Sequence, residues 1–328
     1  MRAQAKFNLY NQGKDYLQTQ ITKTNLDNQN IAVNLSLREQ TKLAGILYWN
    51  LVFYKEMNSL HNTMIKINAQ NKRSAKRRID SGLATESDRL EFDMTQIELK
   101  HHLKEINYKL KILKQKLALI LGTDNFKVPE KLIHTHKIDS LISNNKPAPE
   151  YIEPLKNKFE LFKVKDRLAK LYWTPKVDFN VEYEKYDKTI EIPSLNITDS
   201  LESEVVLSLS LTFDLDGASR ALKRSKALAF KAQASEMDYN YKKKQQQIEL
   251  NSQAEKLKLM HHLVHEVEEE IELAKAYYDL TKKEYSRGAK NSPDMLGAAN
   301  KLYDKNKERL KLIRDYHVLK AEYLAMIN

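Results

Sequence analysis

The side chains of this chain best suited to chemistry are histidines and carboxylates spaced as on helices. His261-His262-x2-His265, followed by Glu266, sets His261 and His265 one helical turn apart, the spacing of a metal-ligand pair. The pattern specifies no third ligand, and two imidazoles on a polar segment are otherwise a solvated helix face. Thiolate ligation and disulfides are excluded because the chain has no cysteine. No glycine-rich phosphate loop, nucleophile elbow or zincin HExxH is present. The residues therefore predict no metal, no cofactor and no catalytic group, and the chain reads as a non-enzyme.

Two carboxylates stand in a repeated setting. Gly82-x5-Asp88 recurs as Gly288-x5-Asp294, with 206 residues between the glycines and 206 between the acids. Gly82 and Gly288 are free to adopt the left-handed conformation that closes a helix. Thr85 and Asn291 can cap the next helix, each with an acid at its third position. Such acids cap helices and complement the helix dipole; a role in function is a separate possibility that the spacing leaves open.

The elements that carry these turns are long helices. Apolar residues recur at helical spacing from about Asn34 to Asp80, a segment that would extend roughly 70 Å. After the polar break DSGLATESD, a second helix is predicted from about Glu86 to Leu121, giving an antiparallel helical hairpin. Residues 122–154 hold four of the seven prolines and read as an irregular connector. A helix from about Leu155 to Tyr172 follows, then the period changes from helical to two. Val177, Phe179, Val181 and Tyr183 fall on one face of the first alternating stretch, with Asp178, Asn180 and Glu182 on the other. After the polar stretch DKTIEIPSLNITDSLE, read as a loop, Val205, Leu207, Leu209, Leu211, Phe213 and Leu215 alternate with Ser208, Ser210, Thr212 and Asp214. Residues 176–215 thus form a β-hairpin, which no other strand is expected to extend. The chain then returns to helix from Ala218 to about Tyr285, breaks at SRGAKNSPD and ends in a last helix.

Composition supports extended helices: 328 residues, 30% of them charged, with 7 Gly and 7 Pro and a negative mean hydropathy. The net charge of +11 permits an anionic partner, but lysines spread along helices are usually a solvated face. The richest basic run, Lys72-Arg73 through Lys76-Arg77-Arg78, carries no recognition motif, and nucleic acid is not expected as a partner. Residues 1–20 contain no apolar segment of the kind a secretory signal needs.

The offset of 206 extends well beyond the turns. It aligns Leu90 with Leu296, Ile106 with Leu312, Leu113 with Leu319, Phe7 with Phe213 and Leu9 with Leu215. The chain reads as an internal duplication: 1–121 a first repeat, 122–154 a connector and 155–328 a second repeat.

The motif YSRGAKNSPDML at Tyr285–Leu296, with the proline–strand–loop–strand–glycine unit from Pro175 to Gly217, resembles the TolC-like outer membrane efflux protein family. The resemblance implies two repeats, each of helix, β-hairpin and long helical hairpin. It implies three chains sharing one outer-membrane β-barrel and an α-helical tunnel through the periplasm. The fold is thus expected to be mainly α with a small β part, of the α-barrel type, with a transmembrane β-hairpin. The apolar hairpin residues would face lipid and the polar ones a wet lumen, with Tyr172, Trp173, Tyr183 and Tyr186 as interfacial aromatics. Only the flanks of helices in a tunnel wall need be apolar.

In the family the tunnel mouth is closed by the helical-hairpin tips. Carried over, that role falls on Ser87 and Asp88 in the first tip and Tyr285, Lys290 and Asp294 in the second, with Gly82 and Gly288 as tip turns. Lys290 stands where an Arg is expected. The resemblance further implies a homotrimer, a periplasmic adaptor and inner-membrane pump as partners, and a passive exit duct for efflux or type I secretion. The first repeat begins at its final strand, with Phe7 and Leu9 a stump, so an N-terminally truncated member is expected. The residues alone also allow a soluble sheet packed on a helix, within a coiled-coil scaffold or a nucleic-acid-associated protein.

Overall fold

A computed structural model describes residues 2–129, 132, 142, 146–185, 188–192, 197–201, 203–213 and 217–327; for Trp173, 188–192 and 197–201 it describes the backbone alone. The elements are β1 (Arg2–Asn11), α1 (Lys14–Asp80), α2 (Glu86–Leu121), α3 (Glu153–Lys170), β2 (Lys176–Glu184), β3 (Lys188–Ile192), β4 (Ile197–Leu201), β5 (Glu204–Thr212), α4 (Ala218–Ser286) and α5 (Ser292–Met326). Among the described residues, no helix is long and apolar enough to cross a membrane.

Two compact units are present. One comprises Met1–Asn34 and Glu150–Lys244, the other Leu35–Pro149 and Gln245–Asn328. Each draws on both halves of the sequence, and α1 and α4 contribute to both.

In the first unit, β1, β2 and β5 form an antiparallel sheet in the order β1-β2-β5. This corrects the expectation that no strand would extend the hairpin, and the reading of Phe7 and Leu9 as a stump. Residues 2–11 form a strand one residue longer than either neighbour. Its alternation was obscured because two apolar positions are Ala3 and Ala5, which contribute little hydrophobic contrast. The polar stretch after β2 is likewise not all loop: β3 and β4 pair as a two-stranded ribbon.

The passage from β1 into α1 turns on two consecutive left-handed residues, Gln12 (φ 56) and Gly13 (φ 70). A non-glycine residue in that region carries a steric cost. Here the Gln12 side chain is buried and its Nε2 donates to the Thr174 carbonyl, tying the turn to the entry of β2. Helix α1 consequently starts at Lys14, twenty residues before the sequence pattern suggested. The segment 14–33 is too polar to show a stripe, and Ile21 is its one fully buried apolar side chain among the described residues.

The second unit holds the apolar core. Three clusters line it, built from α1, α2, α4 and α5: one around Phe92, Tyr285 and Met295, one around Val52, Ile106 and Val264, and one around Leu250, Tyr316 and Tyr323. Gly45 permits close approach of α1 to α5, since an added Cβ would lie 3.1 Å from Ala321 Cβ.

Helix α4 is apolar on two opposed stripes. Leu250, Leu257, Val264 and Tyr278 face the core, while Ile248, Leu259, Leu273, Tyr277 and Leu280 are exposed. At about 100° per residue the exposed set falls within a band roughly 60° wide. Leu90, Met94, Ile97, Tyr108 and Leu119 make a similar exposed band on α2.

Candidate functional site

The sheet has two chemically distinct faces, set by register. Across β1, β2 and β5 run the rows Ala3–Tyr183–Val205, Ala5–Val181–Leu207, Phe7–Phe179–Leu209 and Tyr10–Val177–Leu211. A bulge between Asn8 and Tyr10 shifts the register of β1 and brings Tyr10, unforeseen from the sequence, into the last row. The Phe7 and Phe179 rings are neighbours tilted by 31°, 6.5 Å between centres. Phe7, Tyr10, Leu207, Leu209 and Leu211 are all exposed, as are Leu9, Val205 and Phe213. Incomplete burial of eight such side chains forgoes about 1 kcal/mol each, on the order of the whole stability of a domain. A packed helix, the soluble alternative, is absent from this face among the described residues.

The opposite face is polar and cross-linked. Asp178 is 3% exposed and lies between two ammonium groups, Lys6 Nζ at 3.3 Å and Lys176 Nζ at 3.1 Å. Arg2 pairs with Glu182, and Asn180 Nδ2 donates to Ser208 Oγ at 3.4 Å. Ser210 and Thr212 continue this side along β5. Asp214, Leu215 and Tyr186 lie outside the described residues. Tyr172 lines a cavity walled by α1, α3 and α4.

The two helical turns share one hydrogen-bond pattern. Gly82 (φ 69) and Gly288 (φ 86) are left-handed. Gly82 N donates to Ile79 O and Leu83 N to Arg78 O; Gly288 N donates to Tyr285 O and Ala289 N to Glu284 O. These are Schellman closures. Open space surrounds both glycines, so backbone conformation alone selects them.

The acids act as capping groups. Asp88 Oδ2 accepts from Thr85 N at 2.8 Å and from Thr85 Oγ1 at 2.9 Å. Asp294 Oδ2 accepts from Asn291 N at 3.3 Å, while Asp294 N donates back to Asn291 Oδ1 at 3.0 Å. The backbone bond from Thr85 holds the Asp88 carboxyl below its ordinary range, assisted by hydrogen bonds from Ser292 in the other tip. Ser87 is exposed in the first turn of α2, and Lys290 is half-buried.

Tyr285 is 2% exposed, and its hydroxyl lies 3.1 Å from Ser292 Oγ. Arg78 joins the tips: Nη1 donates to Lys290 O at 2.9 Å and Nη2 to Leu83 O at 3.1 Å, with the guanidinium 4.3 Å from the Tyr285 ring centre. Sequence reasoning missed Arg78 and Ser292. Arg78 sat within a basic run, and nothing in one sequence distinguishes a clamp from a solvated cation.

The histidine pair is a surface pair. His261 and His265 stack edge to face at 5.0 Å, and His265 Nδ1 lies 3.6 Å from Glu268. A tighter trio, His101, His102 and Glu105, has its ligand atoms within 4.8 Å of one another. All three residues are exposed.

No family model matches the chain, and no curated protein matches it. Solved structures do. An outer membrane protein of Vibrio cholerae, VceC, superposes with a TM-score of 0.82 at 13% identity, over 99% of this chain and 79% of that one. CusC, described for transmembrane channel formation, gives 0.83 at 12%, over 99% and 76%. The CmeC outer membrane channel of Campylobacter jejuni gives 0.80 at 11%, over 99% and 69%. The chain has the fold of these TolC-type outer-membrane channels. Within this fold Gly82 and Gly288 close the two long helical hairpins.

Proposed function

We propose that the chain is an outer-membrane channel protein, a passive exit duct whose sheet inserts in lipid and whose helices extend into the periplasm. One observation carries the reading: a sheet with one uncovered apolar face and one ion-paired polar face, on the fold of solved outer-membrane channels. The rows through Val177, Phe179, Val181, Tyr183, Val205, Leu207, Leu209, Leu211 and Phe213 would meet acyl chains. Asn180, Glu182, Ser208, Ser210 and Thr212 would line water, on the same face as the buried, ion-paired Asp178. Strands of nine or ten residues at 3.3 Å rise, tilted near 45°, cover roughly the 25 Å apolar band.

Both outer edges, β1 and β5, are unpaired among the described residues. An open edge in lipid is untenable, and strands of further copies would contribute to its closure. The exposed stripes on α2 and α4 supply the matching helix surfaces, and we assign the assembly as a homotrimer. The two halves are read as repeats offset by 206 residues; α1 and α4 end, and α2 and α5 begin, at that spacing.

The tips form the periplasmic mouth, with Ser87, Asp88, Tyr285, Lys290 and Asp294 as gating residues. A ring of carboxylates from several copies favours cations and resists closure by like-charge repulsion. A periplasmic adaptor and an inner-membrane pump would supply recognition and energy. Single-channel recording in planar bilayers tests the proposal. Stepwise cation-selective conductance supports it; a purified chain that remains monomeric in detergent and never conducts overturns it.

A further inference from the structure

Beside the sheet, entirely within the first unit, lies a cavity of about 1070 Å³ walled by the starts of α1 and α4 and one face of α3. Its charge is one-sided. Lys14, Lys165, Arg220, Arg224 and Lys231 line it against a single carboxylate, Asp15, which accepts from Asn11 Nδ2 at 3.0 Å. None of the five cations has an ion-pair partner among the described residues; Lys165 has only the Phe162 ring, at 5.9 Å. The rest of the wall is mixed: Phe162, Leu168, Tyr172 and Leu228 form an apolar patch beside Asn11 and Gln18.

The helix that supplies three of these cations intensifies the field. The amino-terminal end of a helix is electropositive, and sequences ordinarily place acids there. The first turn of α4 has no acid, and its first acidic residue is Glu236, after five basic residues. Gly217, which precedes the helix and also lines the cavity, has no side chain to cap it. Concentrating uncompensated positive charge in a concave site is unfavourable without a counter-ion, and the apolar patch beside it offers a surface for a hydrocarbon tail.

We propose that this cavity binds an anionic amphiphile, its phosphate group held by Arg220, Arg224 and Lys231 and its hydrocarbon against Phe162, Leu168 and Tyr172. Planar guanidinium forks suit phosphate oxygens. The assignment rests on the cavity alone and stands apart from the channel reading. The same chemistry is offered by a membrane phospholipid and by a free amphiphile in transit.

The test uses the full chain in a neutral maltoside detergent. Octyl phosphate is titrated calorimetrically, with inorganic phosphate and octyltrimethylammonium as tail-free and opposite-charge controls. Octyl phosphate is expected to bind once per chain, at least tenfold more tightly than either control. Arg220→Gln/Arg224→Gln should weaken it at least tenfold; should that variant not fold, Lys165→Gln/Lys231→Gln serves. Native mass spectrometry then separates the sources. Retention of phosphatidylglycerol over phosphatidylcholine assigns the site to a membrane lipid, whereas octyl phosphate binding without such retention assigns it to a free amphiphile. Equal binding of octyltrimethylammonium, no binding, or affinity unchanged in the folded variants overturns the proposal.

Discussion

Replacing Arg78 with alanine should uncouple the two helical-hairpin tips. The guanidinium donates to the carbonyls of Lys290 and Leu83 and covers the Tyr285 ring. Charge-assisted bonds of this kind contribute roughly 1.5–3 kcal/mol each, the more exposed one least. The ring contact adds about 1 kcal/mol. Against these stands Arg78 Nε, buried without a hydrogen-bond partner among the described residues, a cost of about 1 kcal/mol. The net loss is about 3–6 kcal/mol, nearer the lower end because one bond is exposed. Alanine is the better helix former, so loss of helix propensity does not contribute. At 1.36 kcal/mol per decade, tip opening rises on the order of 100-fold to 10,000-fold. Amide hydrogen exchange reads this at Leu83 in the first tip and Ala289 in the second, both donors in the turn closures. The decisive amide is Ala289, because Arg78 reaches it only through space. Arg78→Lys keeps the charge but not the fork and should fall between. If Ala289 protection in Arg78→Ala stays within about threefold of the parent, Arg78 does not couple the tips and the reasoning fails.

Other perturbations separate the remaining contributions. Asp88 titrates below its ordinary value, so its stabilisation is full at neutral pH and is lost as pH falls through and below about 4; Asp88→Asn should remove that acid-limb loss in tip exchange measured from pH 6 to 3. Gly45→Leu forces a side chain against Ala321, and thermal melting should show a loss of about 1–3 kcal/mol from overpacking. Leu209→Arg, on the apolar face, should cost about 2–4 kcal/mol of membrane insertion and abolish liposome incorporation. Ser208→Arg, one residue along on the other face, should incorporate normally.

Much of this protein was legible in its sequence because the signals are local. Alternation in residues 176–184 and 204–212 fixes strands with one apolar face whatever surrounds them. Gly82 and Gly288 end helices because only glycine enters the left-handed region without strain, and Thr85 and Asn291 begin the next through bonds within one turn. Helix α1 was legible only from Asn34, since residues 14–33 are helical through their attachment at the Gln12–Gly13 turn rather than through a stripe of their own.

What tertiary structure alone decided are the pairings between residues distant in sequence. Strand β1 joins the sheet because Arg2–Asn11 lies antiparallel to Lys176–Glu184, and its alanines conceal that edge until the partner is present. Arg78 becomes a clamp because Lys290 and Tyr285, over two hundred residues away, meet it at the tips. The five cations of the cavity become a site because α1, α3 and α4 bring them to one concave wall; as a sequence they are basic helix faces. Helical and strand periodicity is a property of neighbours along the chain, whereas a clamp, a sheet edge and a charged cavity exist only once the chain has been folded back on itself.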